Sequence, residues 1–77
     1  MLNQKEILKY AVKGLELEIE KLDKDIKKAK AMIEKLENGE KVTKTKPELI
    51  AILTKKIDEK EKLEKEKFEI EWQLEAE

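Results

Sequence analysis

Residues that break helices are almost confined to one short stretch in the middle of this chain. The sequence holds two glycines and one proline in 77 residues, and Gly39 and Pro47 bracket the only segment with the character of a loop. Long runs of helix-forming residues, rich in Lys, Glu and Leu, lie on both sides. We therefore predict an all-α fold, with helix 1 over about 3–38, a loop over about 39–45 and helix 2 over about 46–76.

Capping signals mark the ends of both predicted helices. Asn3 is followed three residues later by Glu6, and Thr45 by Glu48, and each pair matches a capping box at a helix start. At the end of helix 1, Asn38 is the predicted cap and Gly39 follows it, where a residue with positive φ commonly ends a helix. The loop between these signals is short.

Apolar residues recur along helix 1 at alternating intervals of four and three. The row consists of Leu8, Val12, Leu15, Ile19, Leu22, Ile26, Ala29, Ile33 and Leu36. Such a sustained repeat is typical of a coiled-coil seam. Because the two helices have similar lengths and a short connection, helix 2 is expected to fold back along helix 1. The predicted fold is an antiparallel two-helix hairpin, a single domain over 1–77.

The segment 68–76 alternates apolar and polar residues as a half-buried strand does. No partner strand is available, so we interpret it as helix. In a helix its apolar residues form two pairs on opposite sides, Phe68 with Trp72 and Ile70 with Leu74. One pair is expected to face helix 1 and the other to face something else.

A charged row is predicted on the buried arc of helix 2. It comprises Lys60, Glu64, Lys67 and Glu71, which alternate in sign. Charges on a seam can fix the register of two helices at some cost in stability. Alternatively, the stems of these side chains cover apolar surface and keep their charged heads in water.

A second apolar face follows the first half of helix 1 and ends at Leu17. In an antiparallel hairpin this face lies at the same end as Phe68 and Trp72, remote from the loop. Gly14 within it suggests a close backbone approach, since glycine costs about 1 kcal/mol relative to alanine in a helix. The predicted self-association or partner surface comprises Ile7, Tyr10, Gly14, Leu17, Phe68 and Trp72.

Self-association through this end is expected to give a homodimer of hairpins, most simply a four-helix bundle. A larger protein partner is a further expectation for the same surface. Two alternatives stay open: a monomeric hairpin whose aromatic side chains wrap its own end, and long helices rearranged into an open coiled coil. The apolar repeat of helix 1 would also suit a parallel dimer seam, so the topology of the oligomer is open.

The composition argues against catalysis. The chain has no His, Cys or Arg, which leaves only Lys and carboxylates as candidates for acid–base catalysis and removes the common zinc and di-iron ligand sets. No glycine-rich phosphate loop or calcium loop is present. We predict a non-enzymatic protein with no catalytic residues, no cofactor, no metal site and no small-molecule substrate.

The turn end is predicted to be basic. Residues 21–56 hold 11 Lys and 6 acidic residues, and the remaining 41 positions hold 7 Lys and 13 acidic residues. A lysine belt near the turn is the one candidate nucleic-acid surface: Lys24, Lys27, Lys28, Lys30, Lys55 and Lys56. RNA binding by this belt is the alternative function. Near-zero net charge and the absence of Arg make nucleic acid the less favoured partner.

Neither an apolar signal region nor a stretch long enough to span a membrane is found in the sequence. We therefore expect a cytoplasmic protein with no membrane partner. The expected function is a non-catalytic, self-associating helical-hairpin interaction module, such as a small bacterial, phage or plasmid accessory protein.

Overall fold

The computed structural model describes residues 3–76. They form two helices, α1 over Gln4–Glu37 and α2 over Lys46–Ala76, which pack side by side in a rod of 55 × 19 × 15 Å. The predicted all-α, two-helix hairpin is confirmed, and 68–76 is helix and not strand. Neither α1 nor α2 is apolar enough over a sufficient length to cross a membrane.

Both helices begin where the capping signals place them. The side-chain oxygen of Asn3 accepts a hydrogen bond from the backbone N–H of Glu6 at 2.8 Å. Thr45 Oγ1 accepts one from the backbone N–H of Glu48 at 3.4 Å. Each bond satisfies an amide that has no partner within its own helix.

The end of α1 is set by Gly39, which adopts a φ of 82°. Two reverse hydrogen bonds close the last turn, from the N–H of Gly39 to the carbonyl of Leu36 at 3.1 Å and from the N–H of Glu40 to that of Lys35 at 2.9 Å. This is the Schellman arrangement, which satisfies two carbonyls at the helix end. The chain then turns toward Thr45 and the start of α2.

The core of the hairpin is thin and lies away from the open end. Four apolar side chains are buried among residues 3–76: Leu22, Ile26, Ala29 and Leu49. The other members of the predicted α1 seam are half-buried. The predicted seam of α1 is therefore confirmed, with its best-packed part between the middle of the rod and the turn.

The seam of α2 is mixed in character. Its buried and half-buried positions include a row with spacings of four and three: Leu49, Leu53, Lys56, Lys60, Leu63, Lys67, Ile70 and Leu74. The prediction of a charged row on the buried arc is wrong for Glu64 and Glu71, which are exposed. The seam positions after Lys60 are Leu63, Lys67 and Ile70, so Glu64 and Glu71 each lie one position beyond a seam residue and face solvent.

Candidate interaction surface

Within residues 3–76, four ion pairs cross the hairpin, and each joins a lysine of α2 to an acidic residue of α1. They are Lys46–Glu37 at 3.5 Å, Lys56–Asp25 at 3.3 Å, Lys60–Asp23 at 2.7 Å and Lys67–Glu16 at 3.5 Å. In three of these pairs the two residue numbers add up to 83, and in Lys56–Asp25 they add up to 81. This constancy fixes the antiparallel register of the two helices. It places Tyr10 at the height of Gln73 and Leu17 at the height of Glu66.

The shortest of these pairs also has the clearest electrostatic signature. The Lys60 ammonium donates a hydrogen bond to Asp23 Oδ1, and that bond, reinforced by the lysine charge, lowers the pKa of the Asp23 carboxyl. The same bond raises the pKa of Lys60, against the opposing effect of partial burial. Lys60 therefore contacts α1 through its charged head, which supports the interpretation of the seam lysines as register-setting groups.

The end of the rod remote from the loop, built by residues 3–17 and 68–76, is called the open end. Five large apolar side chains there are more than half exposed: Ile7, Tyr10, Leu17, Phe68 and Trp72. Phe68 is 67% exposed and Trp72 65%, whereas their neighbours Ile70 and Leu74 are half-buried. As predicted, one apolar pair of this segment faces α1 and the other faces away from it.

Two apolar clusters make up this surface, one on each helix. The α1 apolar patch consists of Ile7, Tyr10, Gly14 and Leu17, and the α2 aromatic pair consists of Phe68 and Trp72. A Cβ added at Gly14 would meet no heavy atom within 4 Å. The expected close approach at Gly14 therefore has no counterpart within residues 3–76, and the glycine leaves an open position in the patch.

A groove between the helices shows which flank the α1 apolar patch occupies. The groove is lined on α1 by Glu18, Lys21 and Asp25. At about 100° per residue, all four members of the patch lie within about 40° of Lys21 around α1. The α1 apolar patch therefore belongs to the groove flank and the adjoining back of that helix.

The α2 aromatic pair lies on the other flank. On α2 the groove is lined by Glu59 and Glu66, among others. Phe68 and Trp72 lie about 120–180° around α2 from these two residues. The clusters share one end of the rod, as predicted, but they face in opposite directions and do not form one continuous surface.

The charged surroundings of the two clusters differ in sign. Glu6, Lys9 and Lys13 line a depression with Tyr10, whereas Glu69 and Gln73 line one with Phe68 and Trp72. Lys9, Lys13 and Glu69 take part in none of the ion pairs that the structure contains over residues 3–76. Their charges are available to a second molecule.

The predicted lysine belt is spread around the rod. Lys28 and Lys56 meet at one depression, which Lys44 and Asp25 also line. Lys56 is half-buried and paired with Asp25. Lys30, at about 160° from Lys28 around α1, faces the other side.

The remaining belt residues, Lys24, Lys27 and Lys55, are exposed. The hairpin thus brings part of the belt together near the turn and disperses the rest.

No protein-family model, curated protein or solved structure matches this chain, so its function has to be inferred from the hairpin itself.

Proposed function

We propose that this chain is a non-catalytic, self-associating interaction module whose open end binds protein surfaces, first of all a second copy of the chain. In this proposal it works in the cytoplasm of a bacterium, or of a bacterium infected by a phage, as a small accessory protein. The homodimer brings four helices together. The same surface serves to dock the module onto a larger protein.

One observation carries the proposal, the contrast between a thin core and two exposed apolar clusters at the open end. Four apolar side chains are buried over residues 3–76, while five large apolar side chains at the open end are more than half exposed. Large exposed apolar patches on small proteins mark interaction sites. Complete burial of one such side chain contributes about 1.5–3 kcal/mol, so partial burial of several would matter to a hairpin of this size.

Trp72 provides the test, because it is the only tryptophan of the chain and is 65% exposed. A contact made by a few side chains buries less area than the roughly 1,200 Å² of a stable protein–protein interface. Weak association is therefore expected, and it should be measured at chain concentrations of about 10–500 µM. Over this range we expect the Trp72 emission to shift to the blue and sedimentation equilibrium to show a growing mass. A helical, cooperatively melting monomer throughout the range would refute the proposal.

A matched pair of variants assigns the effect to the open end. Phe68→Gln removes an exposed aromatic side chain of the open end and should weaken association. Ile50→Gln removes an apolar side chain that is also exposed, at 47%, but lies near the turn. It should leave association unchanged. Equal effects of the two changes would indicate nonspecific apolar contact.

The second candidate function is RNA binding near the turn. It is supported by the depression that Lys28, Lys44 and Lys56 line together. Real phosphate contacts would give an affinity for structured RNA that falls steeply as salt rises. Replacing Lys28 and Lys44 by Gln should then reduce the salt slope. Binding that is absent at low salt would remove this candidate.

A further inference from the structure

The α1 apolar patch and the α2 aromatic pair lie at the same height along the rod. With the register set by the ion pairs, positions 68–72 stand beside positions 11–15. That interval is the middle of the α1 apolar patch, which extends from Ile7 to Leu17. The two clusters face opposite flanks. A second copy placed beside the first in the same orientation, with no shift along the rod, therefore has its aromatic pair against the α1 apolar patch of the first copy.

The charges around the two clusters favour this pairing over contact between identical clusters. The depression that contains Tyr10 of the α1 apolar patch is lined by Lys9 and Lys13 against one acidic residue, Glu6. The end of α2 over 68–76 carries Glu69, Glu71 and Glu75 and no lysine. An aromatic pair facing another aromatic pair would bring like charges together, whereas a pair facing a patch brings opposite charges together.

The open position at Gly14 matches the place where the rings would arrive. In the sideways arrangement Trp72 comes to the height of residue 11 and Phe68 to that of residue 15, on either side of Gly14. No heavy atom lies within 4 Å of a Cβ built at Gly14. The rings therefore meet a position with no side chain, bordered by Tyr10 and Leu17.

The geometry points to a heterologous contact between copies, in which the α2 aromatic pair of one hairpin packs on the α1 apolar patch of the next. This inference rests on the proposed self-association and specifies its partner surfaces. Such a contact is not closed, because each dimer keeps one free aromatic pair and one free patch. Assembly is therefore expected to continue beyond the dimer as concentration rises.

Two complementary variants test the contact. A patch-blocked chain carries Tyr10→Gln and Leu17→Gln and keeps Trp72. A pair-blocked chain carries Phe68→Gln and Trp72→Gln and so has no tryptophan. Glutamine is a good helix former and leaves the charges unchanged, and all four positions are exposed, so both chains should fold. Circular dichroism checks this, and the single changes Tyr10→Gln and Trp72→Gln give the same experiment if a double variant does not fold.

The expected result is that each variant alone is monomeric, while their mixture forms a 1:1 dimer. Titration with the pair-blocked chain should shift the Trp72 emission of the patch-blocked chain to the blue, and added salt should weaken the complex. The inference would be overturned if the patch-blocked chain alone associated as the wild type does, because the aromatic pair would then bind itself.

It would equally be overturned if the mixture stayed monomeric, or if added salt left the complex unchanged, while the wild type associated. In any of these cases the proposed self-association would stand and only its mode would be wrong. A wild-type chain that is monomeric at every concentration would remove both.

Discussion

The Nζ of Lys60 lies 2.7 Å from Oδ1 of Asp23, and Lys67 forms the equivalent pair with Glu16 one heptad nearer the open end. Both lysines stand on the α2 seam, where an apolar side chain would pack more tightly. They reach across to acidic residues of α1, and these pairs favour the observed alignment of the two helices. Alignment is what places the aromatic pair at the height of the α1 apolar patch, so the seam charges contribute to the geometry of the proposed contact.

Charge exchange tests whether the Asp23–Lys60 pair sets the register. Asp23→Lys places a like charge opposite Lys60 and should lower the melting temperature. Adding Lys60→Asp restores an opposite pair between the same two positions and should recover most of the loss. Asp58→Lys, at an exposed position outside the four ion pairs, is the control and should not be rescued by Lys60→Asp. Melting by circular dichroism gives all the values.

The same pair predicts a pH dependence with a defined sign. Since the folded pKa of Asp23 is lowered, the unfolded chain binds more protons in this range and the pair stabilises the hairpin above the ordinary aspartate pKa of about 3.9. This contribution is lost as the pH falls through the lowered folded pKa. The melting temperature of the wild type should thus exceed that of Asp23→Asn near neutral pH and converge with it in acid.

Lys60 provides the control for this prediction, and it also determines how the stability changes at high pH. In a Lys60→Met background the main partner charge is absent and only the weaker attraction of Lys27 and Lys30 remains, so Asp23→Asn should change the melting temperature much less near neutral pH. The folded pKa of Lys60 is raised, so its contribution is complete below the ordinary lysine pKa of about 10.4 and is lost as the pH rises through the raised value. A difference between wild type and Asp23→Asn that persists unchanged in strong acid would contradict the assignment.

The helix ends and the α1 seam could be predicted because their signals are local. Asn3, Thr45 and Gly39 act through bonds to residues within five positions, and the four-and-three spacing of α1 requires no knowledge of α2. The α2 seam was predicted only in part: Lys60 and Lys67 are half-buried as predicted, whereas Glu64 and Glu71 are exposed. The two lysines can be half-buried because their long apolar stems pack on the seam and their ammonium groups pair with acidic residues of α1. The positions of those acidic residues cannot be read from the spacing of α2.

The relation between the two apolar clusters could be predicted only in part. That both lie at the open end follows from helix lengths alone. That they face opposite flanks depends on how α1 and α2 are rotated about their axes when they pack. This rotation is set by which residues, including the seam lysines, face the partner helix. The irregular apolar spacing of α2 therefore allowed Phe68 and Trp72 to be placed on an exposed surface at the open end, but not on a particular flank of the rod.

Lys67→Leu should stabilise the hairpin. The lysine is half-buried on the seam with Ile70 nearby, and its pair with Glu16 spans 3.5 Å between partly exposed side chains. Exposed pairs contribute about 0–1 kcal/mol, whereas apolar burial of a leucine at this position should exceed that. We expect a higher melting temperature at low concentration. Lys65→Leu, at an exposed position of the same helix, is the control and should give a smaller gain. A changed oligomeric state of Lys67→Leu would show that the charge also selects the partner.

The two glycines should respond to alanine in opposite directions. Gly39 has a φ of 82°, where a Cβ is strained, so Gly39→Ala should cost about 1–2 kcal/mol. Gly14 is helical and a Cβ there meets nothing within 4 Å, so Gly14→Ala should add about 1 kcal/mol to the stability of the monomer. Chemical denaturation at low micromolar concentration measures both. Destabilisation by Gly14→Ala would show that the α1 backbone is approached closely after all.

Leu49 is expected to be the side chain on which the fold depends most. It is 1% exposed, near the start of α2, and is the only fully buried residue that α2 contributes over 3–76. Leu49→Ala removes its contacts and leaves a cavity, which costs about 2–5 kcal/mol, comparable to the whole stability of a small two-helix protein. Ile50→Ala is the neighbouring control, because Ile50 is 47% exposed and alanine is a better helix former. Melting curves should show Leu49→Ala largely unfolded at room temperature and Ile50→Ala close to the wild type. Similar curves for the two variants would mean that the turn half of the rod is not where the hairpin is held together.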